Sequence, residues 1–213
     1  RQVQIYCYYI IKQHYCSSRN IFTGYREWIS AQISACNGRL QMIDIGSGPA
    51  TSGIAFYEVF KEVATEMVYT GIDVSIEMQR MAGRLLDDVS GGKLHFQMLN
   101  AISELDHAYW EGCSELPSLV IFNMSYFFSS ITAQFAEKLA IQISEIMKAY
   151  PLNKYVFFIQ HSECDNNLNS FRVFRQVLKP LTSVFKSEES SFSYIISNHE
   201  QTLAFCYNIW TNQ

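Results

Sequence analysis

The chain has 213 residues, 24.6 kDa of mass and a formal charge of −4 at pH 7, with 48% hydrophobic and 15% aromatic residues. These values fit one well-packed domain and argue against a disordered chain or a strongly basic nucleic-acid binder. No apolar run approaches the roughly 18 residues that would span a bilayer, so the expectation is a soluble, cytoplasmic protein without membrane association. Six cysteines, at positions 7, 16, 36, 113, 164 and 206, form no C-x-x-C pair. That pattern points to reduced thiols and to no metal site.

Residues 1–38 read as a helical segment in which Trp28, Ile29 and Ile33 offer one apolar side. Residues 1–40 carry Arg1, Lys12, Arg19, Arg26 and Arg39 against Glu27 alone, a local charge of +4. They are interleaved with Tyr6, Tyr8, Tyr9, Tyr15, Phe22, Tyr25 and Trp28. Basic side chains beside stacking rings suit single-stranded nucleic acid, and equally a helical pair that packs its rings inward.

From Leu40 onward short apolar runs alternate with helical periodicity, the pattern of βα units feeding a parallel sheet. Strands are expected at 40–45, 67–74, 93–99, 118–124 and 154–160, and helices at 51–65, 75–88, 131–150 and 168–179. Ser75 suits a helix N-cap, with Glu77 in the first turn. Phe135, Leu139, Ile143 and Ile146 share one helical face ahead of Pro151. The segments 192–197 and 202–210, separated by Asn198 to Gln201, read as a closing antiparallel hairpin. The expected fold is therefore α/β, a mostly parallel seven-stranded sheet with a C-terminal antiparallel hairpin and helices on both faces.

The stretch Met42-Ile-Asp-Ile-Gly-Ser-Gly-Pro-Ala50 puts Gly46-Ser47-Gly48 between a buried strand and a helix. Glycines there permit a sharp turn and close approach of a ligand to bare backbone. A dinucleotide fingerprint would need a small residue where Thr51 stands, and Asp44 would repel a pyrophosphate near the turn. A ligand bearing an ammonium or sulfonium suits this acidic turn better. Asp73 ends the second strand, where a carboxylate can accept hydrogen bonds from both hydroxyls of a ribose.

These residues resemble the class I S-adenosylmethionine-dependent methyltransferases. Asp44-Ile45-Gly46-Ser47-Gly48-Pro49-Ala50 is similar to that family's first motif, D/E-x-G-x-G-x-G, with Ala50 in the third glycine's place. Gly71-Ile72-Asp73-Val74 is similar to its second motif, and the resemblance runs in order over roughly 40–210. It implies a Rossmann-like domain at 39–213, an amino-terminal segment 1–38 covering the active site, and S-adenosylmethionine as cofactor. It further implies that Asp44, Gly46, Ser47, Gly48, Asp73, Asn100, Ala101 and Asn123 bind the cofactor.

Methyl transfer needs alignment and exclusion of water more than a recognisable triad. Asn123-Met124-Ser125-Tyr126 keeps the first and last members of the D/N-P-P-Y/F/W motif of base amino-methyltransferases but neither proline. Tyr126, with Phe127, is a candidate for the acceptor wall. His161, after the fifth strand, is a candidate to take the acceptor's proton. His14, His95, His107 and His199 read as structural, and Trp110 as a neighbour of the adenine edge. The activity expected is methyl transfer to nitrogen or oxygen of a small molecule or protein. The alternatives are an RNA or DNA methyltransferase acting through the basic aromatic segment, and a non-catalytic partner subunit of an assembly.

Overall fold

A computed structural model describes the backbone of residues 2–112, 118–161, 168–196 and 199–212. Side chains are described for residues 11–106, 108–110, 118–161, 168–186 and 206–212. Those of Tyr6, Cys7, Tyr8, Tyr9, His107, Cys113, Cys164 and His199, singled out above, lie outside this set.

Two helices, α1 (Gln2–Gly24) and α2 (Arg26–Ala35), precede the sheet. Then follow β1 (Arg39–Ile45), α3 (Thr51–Phe60), β2 (Glu66–Ile72), α4 (Ile76–Ser90), β3 (His95–Leu99) and α5 (His107–Gly112). The chain continues through β4 (Leu119–Ser125), α6 (Ala133–Ala149), β5 (Lys154–His161) and α7 (Asn169–Leu178) to the hairpin β6 (Thr182–Ile196) and β7 (His199–Asn212). The strand order is β3-β2-β1-β4-β5-β7-β6, with β7 antiparallel to both neighbours and the other pairs parallel.

The two-residue period of the strands sorts their side chains into two cores. In β4, Leu119 and Ile121 face one way, with Leu40, Met42, Phe158 and the helical Phe22, Ile33 and Phe56. Val120, Phe122 and Met124 face the other way, with Ile43, Phe157 and the helical Leu139, Ile143, Phe171 and Phe174. Both faces are thus covered by helices, which is why the central strands read as continuous apolar runs. Residues of α1 and α2 belong to the first of these cores: Phe22 is 1% exposed and meets the rings of Phe56, Phe60 and Phe158 edge-on or tilted at 4.9–6.4 Å.

Several expectations change at the element ends. The hairpin is longer than read: β6 begins at Thr182, and Ile196 pairs with His199, so His199, Glu200 and Gln201 are strand and not turn. The polar run 186–191 conceals this strand, because a sequence of polar residues lacks the apolar–polar alternation that identifies one. Phe135 is exposed while Leu139, Ile143 and Ile146 are buried, so it sits at the cleft end of the stripe and not in the core. Ser75 does cap α4, its hydroxyl accepting from the Met78 amide at 3.3 Å, with Glu77 in the first turn.

Among the described residues no helix is long and apolar enough to cross a membrane. Cys16 and Cys36 are free thiols.

Candidate functional site

In a parallel sheet the chain leaves β1 for β2 in one direction and enters β4 on the other side, opening a crevice where the order reverses. Here that crevice is a cleft of about 1060 Å³ above the carboxyl ends of β1 to β4. Its walls include Gly46 and Gly48 after β1, Asp73 after β2, Asn100 and Ala101 after β3, and Tyr126 and Phe127 after β4.

The turn after β1 is built from left-handed backbone. Gly46 has φ 72°, Gly48 φ 52° and Ala50 φ 61°. At Gly46 a side chain is excluded twice over, since a Cβ there would also stand 2.5 Å from Cδ2 of Phe127. Ala50 adopts the left-handed conformation despite its Cβ, which costs about 1–2 kcal/mol. The Gly46 and Ser47 amides donate to the Ile72 carbonyl at 2.9 and 3.1 Å, tying the turn to the end of β2.

Asp73 completes this tie. Its carboxylate accepts from the Gly48 amide at 2.9 Å and from the Ser75 amide at 2.8 Å. A carboxylate offers about four acceptor positions, so two remain for ligand hydroxyls in the cleft. Gln79 braces the neighbouring strand ends: its Nε2 donates to the Asp73 carbonyl at 2.6 Å and lies 3.0 Å from Asn100 Oδ1. The amides of Asn100 and Ala101 both donate to the Glu104 carboxylate, at 2.8 and 2.9 Å.

Three residues expected at the cofactor lie beneath the cleft and not in its wall. Asp44, Ser47 and Asn123 are 2%, 6% and 1% exposed. Asp44 Oδ1 accepts from Asn123 Nδ2 at 2.7 Å and its Oδ2 accepts from the Tyr69 hydroxyl at 2.9 Å. Burial pushes the Asp44 carboxyl up to about 6, against the effect of these two donors. Asp44 is therefore held beneath the turn by side chains of β2 and β4 and forms no part of the cleft wall.

Tyr126, expected in the acceptor wall, lines the cleft. It has φ 59°, unusual for a residue with a Cβ, and its amide donates to the Gln160 carbonyl at 2.8 Å. His161 is elsewhere: it is 1% exposed, its ring lies 4.6 Å from Phe171 and 5.8 Å from Phe128, and it forms no part of the cleft wall. The last residue of β5 points into the second core, and this geometry removes His161 from contact with an acceptor. Trp110 is likewise buried, stacked on Tyr150 at 5.2 Å, and does not reach the cleft.

The residue that sequence reasoning missed is His14. It lines the cleft from α1, and its ring lies flat on Tyr126 with centroids 4.3 Å apart and planes 10° off parallel. Ser17, Ser18, Ile21 and Phe22 are the next positions on the same helical face and all are buried. The spacing 14, 17, 18, 21, 22 was readable; that its first member reaches past the core into the cleft was not.

The described rings of the basic aromatic segment are each engaged within the protein, while Lys12, Arg19 and Arg26 are exposed. Tyr15 donates to Glu58, Tyr25 shares a hydrogen bond with Tyr207 at 2.9 Å, Trp28 stacks on Phe185 at 4.3 Å and Phe22 is in the core. Rings engaged in this way are not a free platform for nucleobases.

No family model matches the chain, and no curated protein matches it in sequence. Solved structures do match. A precorrin-6y C5,15-methyltransferase from Geobacter metallireducens GS-15 has a TM-score of 0.52 at 12% identity, over 85% of this chain and 84% of that one. A structure described as "Conversion of a Disulfide Bond into a Thioacetal Group during Echinomycin Biosynthesis" has a TM-score of 0.52 at 14% identity, over 87% and 81% of the two chains. The chain has the Rossmann-like fold of the class I S-adenosylmethionine-dependent methyltransferases.

Proposed function

We propose that this protein is a methyltransferase that binds S-adenosylmethionine in the cleft above β1 to β4 and methylates nitrogen or oxygen of a small molecule or protein side chain. The observation that carries the reading is Asp73: bound to the Gly48 amide, it faces the cleft beside a bare glycine turn, with two acceptor positions left for a ribose. The strand order supports the orientation, with Asn100 and Ala101 at the adenine end, Asp73 at the ribose and Gly46 and Gly48 at the methionine end. Asp44, Ser47 and Asn123 serve the same site by holding its floor.

When bound there, S-adenosylmethionine would supply an electrophilic methyl group, for which the acceptor's lone pair would displace the thioether while the acceptor's proton leaves to water. Tyr126 and Phe127 wall the acceptor side and exclude water, while α1 covers it through His14, in keeping with a covering role for residues 1–38. A reducing compartment such as the cytoplasm is the location in keeping with this reading, supported by the thiols of Cys16 and Cys36.

Calorimetry with S-adenosylmethionine tests the cofactor, and transfer of labelled methyl into fractionated cell extract tests the acceptor. Binding with label in the small-molecule or protein fraction is expected. Label confined to nucleic acid overturns the acceptor class, binding without transfer favours a partner subunit, and no binding overturns the reading as a whole.

A further inference from the structure

Two helices and two strands bring hydroxyl and amide groups together at the end of β4. Ser18 of α1, Ser52 of α3 and Gln160 of β5 are buried there, and Ser125, the last residue of β4, lines the cleft. Ser18 Oγ lies 2.9 Å from Ser52 Oγ, Ser52 donates to Ser125 Oγ at 3.3 Å, and Ser125 donates to Gln160 Oε1 at 3.0 Å. Two longer contacts, each of 3.3 Å, join Ser18 Oγ to Gln160 Oε1 and Ser125 Oγ to Asn123 Oδ1.

The protons of this cluster decide what it leaves open. Each hydroxyl has one proton and two lone pairs, whereas an amide oxygen only accepts. One direction gives every member a partner: Ser18 donates to Ser52, Ser52 to Ser125, and Ser125 to Gln160. Ser125 then keeps one lone pair, and it is the member that reaches the cleft. The Gln160 amide stands with its oxygen toward the hydroxyls and its Nε2 buried without a hydrogen-bond partner among the described residues. Turned about, it would aim Nε2 at Ser125 and fill that lone pair. A buried donor left unpaired is costly, and a ligand donor on Ser125 favours the orientation observed, because the reverse one competes for the same lone pair.

The position of Ser125 is the one that matters for transfer. Along the sheet the order is β3, β2, β1, β4. A cofactor held by Asn100 after β3, Asp73 after β2 and Gly46 after β1 would bring its methyl group toward the end of β4. The polar neighbours of Ser125 are committed elsewhere: Asn123 spends its Nδ2 on Asp44, and the Tyr126 hydroxyl lies 3.3 Å from Ser17 Oγ. Other polar side chains of the cleft stand at other walls, with Ser75 after β2, Ser103 after β3, Ser130 between β4 and α6, and Lys138 and Gln142 on α6.

Resting on the reading of the cleft as an S-adenosylmethionine site, we propose that Ser125 holds the methyl acceptor, its Oγ accepting a hydrogen bond from an N–H or O–H of the reacting atom. The acceptor class is thereby narrowed to a primary or secondary amine or a hydroxyl, and excludes a tertiary amine, a thioether or a carbon centre. Donation to Ser125 turns the lone pair of the same atom toward the methyl carbon. As that lone pair forms the new bond, the C–S pair leaves with the thioether, and the proton held against Ser125 Oγ passes to water. Ser125 orients the acceptor and does not serve as a base.

Sinefungin serves as the probe, because it carries an ammonium group on carbon where S-adenosylmethionine carries the methyl on sulfur, whereas S-adenosylhomocysteine has neither. In calorimetry on the full chain, the wild type should bind sinefungin about tenfold or more tightly than S-adenosylhomocysteine, since a charge-assisted hydrogen bond to Ser125 Oγ is added. This measurement needs no variant, and equal affinities overturn the proposal. Ser125→Ala should lower the ratio of the two affinities by about tenfold while S-adenosylhomocysteine affinity stays within about twofold, and Ser125→Thr, which keeps the hydroxyl, should retain the ratio. A preference for sinefungin that survives in Ser125→Ala overturns the proposal. Failure of the wild type to bind either compound overturns the cofactor reading instead, so the two failures are distinguishable.

Discussion

Asn123 Nδ2 donates to Asp44 Oδ1 at 2.7 Å, joining two side chains that sit in register across β1 and β4. With the Tyr69 hydroxyl on the other oxygen, the carboxylate is held by three adjacent strands directly under the crevice. Its effect on stability has a definite sign. Desolvation by burial lifts the folded-state value to about 6 from 3.8. Between those values the native state keeps a proton that the unfolded chain has released. The stabilisation is therefore full below about pH 4 and lost as pH rises through about 6, a span of about 3 kcal/mol. Urea unfolding of wild type and Asp44→Asn at constant salt should show the wild-type advantage shrinking from pH 4 to pH 7. A difference that is flat across this window contradicts the assignment.

Asp73 holds the glycine turn and faces the ligand at once. Asp73→Ala removes the acceptor of the Gly48 and Ser75 amides together with the positions left for a ribose. S-adenosylmethionine affinity should fall by at least tenfold in calorimetry, with a loss of about 1–3 kcal/mol in denaturant unfolding. Undiminished affinity would remove Asp73 from the site.

The first and last left-handed positions of the turn should respond in opposite ways. Gly46→Ala meets both a positive φ and the Phe127 ring, which can yield only by moving from its place in the cleft wall. Cofactor affinity should drop at least tenfold. Ala50→Gly releases about 1–2 kcal/mol of strain. It also gives up a buried methyl, about 0.8 kcal/mol, and adds chain freedom costing about 0.5–1 kcal/mol. These nearly cancel, so thermal unfolding should place this variant within about 1 kcal/mol of wild type, with cofactor binding retained. This balance explains why alanine serves at position 50, where the motif that this turn resembles has glycine.

Phe22 reports whether the amino-terminal helices are part of the folding unit. It lies in the core beneath Phe56, Phe60 and Phe158. Phe22→Ala should cost about 3–5 kcal/mol in a single cooperative transition. A separate early transition for α1 and α2, with the remainder unaffected, would show instead that they fold apart from the sheet.

Much of this architecture was legible from local rules. The β1–turn–α3 segment, the position of Asp73 and the Ser75 cap follow from residue types whose backbone preferences act over a few positions: glycine at positive φ, a hydroxyl at an N-cap, apolar runs in strands buried on both sides. Asn100 and Ala101, singled out through the family resemblance, follow the end of β3 at Leu99 and line the cleft.

Depth and partnership were not legible, because they depend on elements far apart in sequence. Asp44 and Gly46 are two residues apart, yet the end of β1 at Ile45, the left-handed backbone at Gly46 and the hydroxyl of Tyr69 put one under the floor and the other on it. His161 and Gln160 are neighbours on β5, but opposite faces send the histidine toward Phe171 and the glutamine toward Ser18. His14 stands 32 positions before Gly46 and carries no motif; packing of α1 against α3 and β5 is what brings its ring onto Tyr126. The sequence by itself determined the sheet and the glycine turn, since short-range backbone chemistry suffices for these. Only the tertiary structure decided which side chains face the cleft, because that is set by the register of distant strands and the seating of one helix.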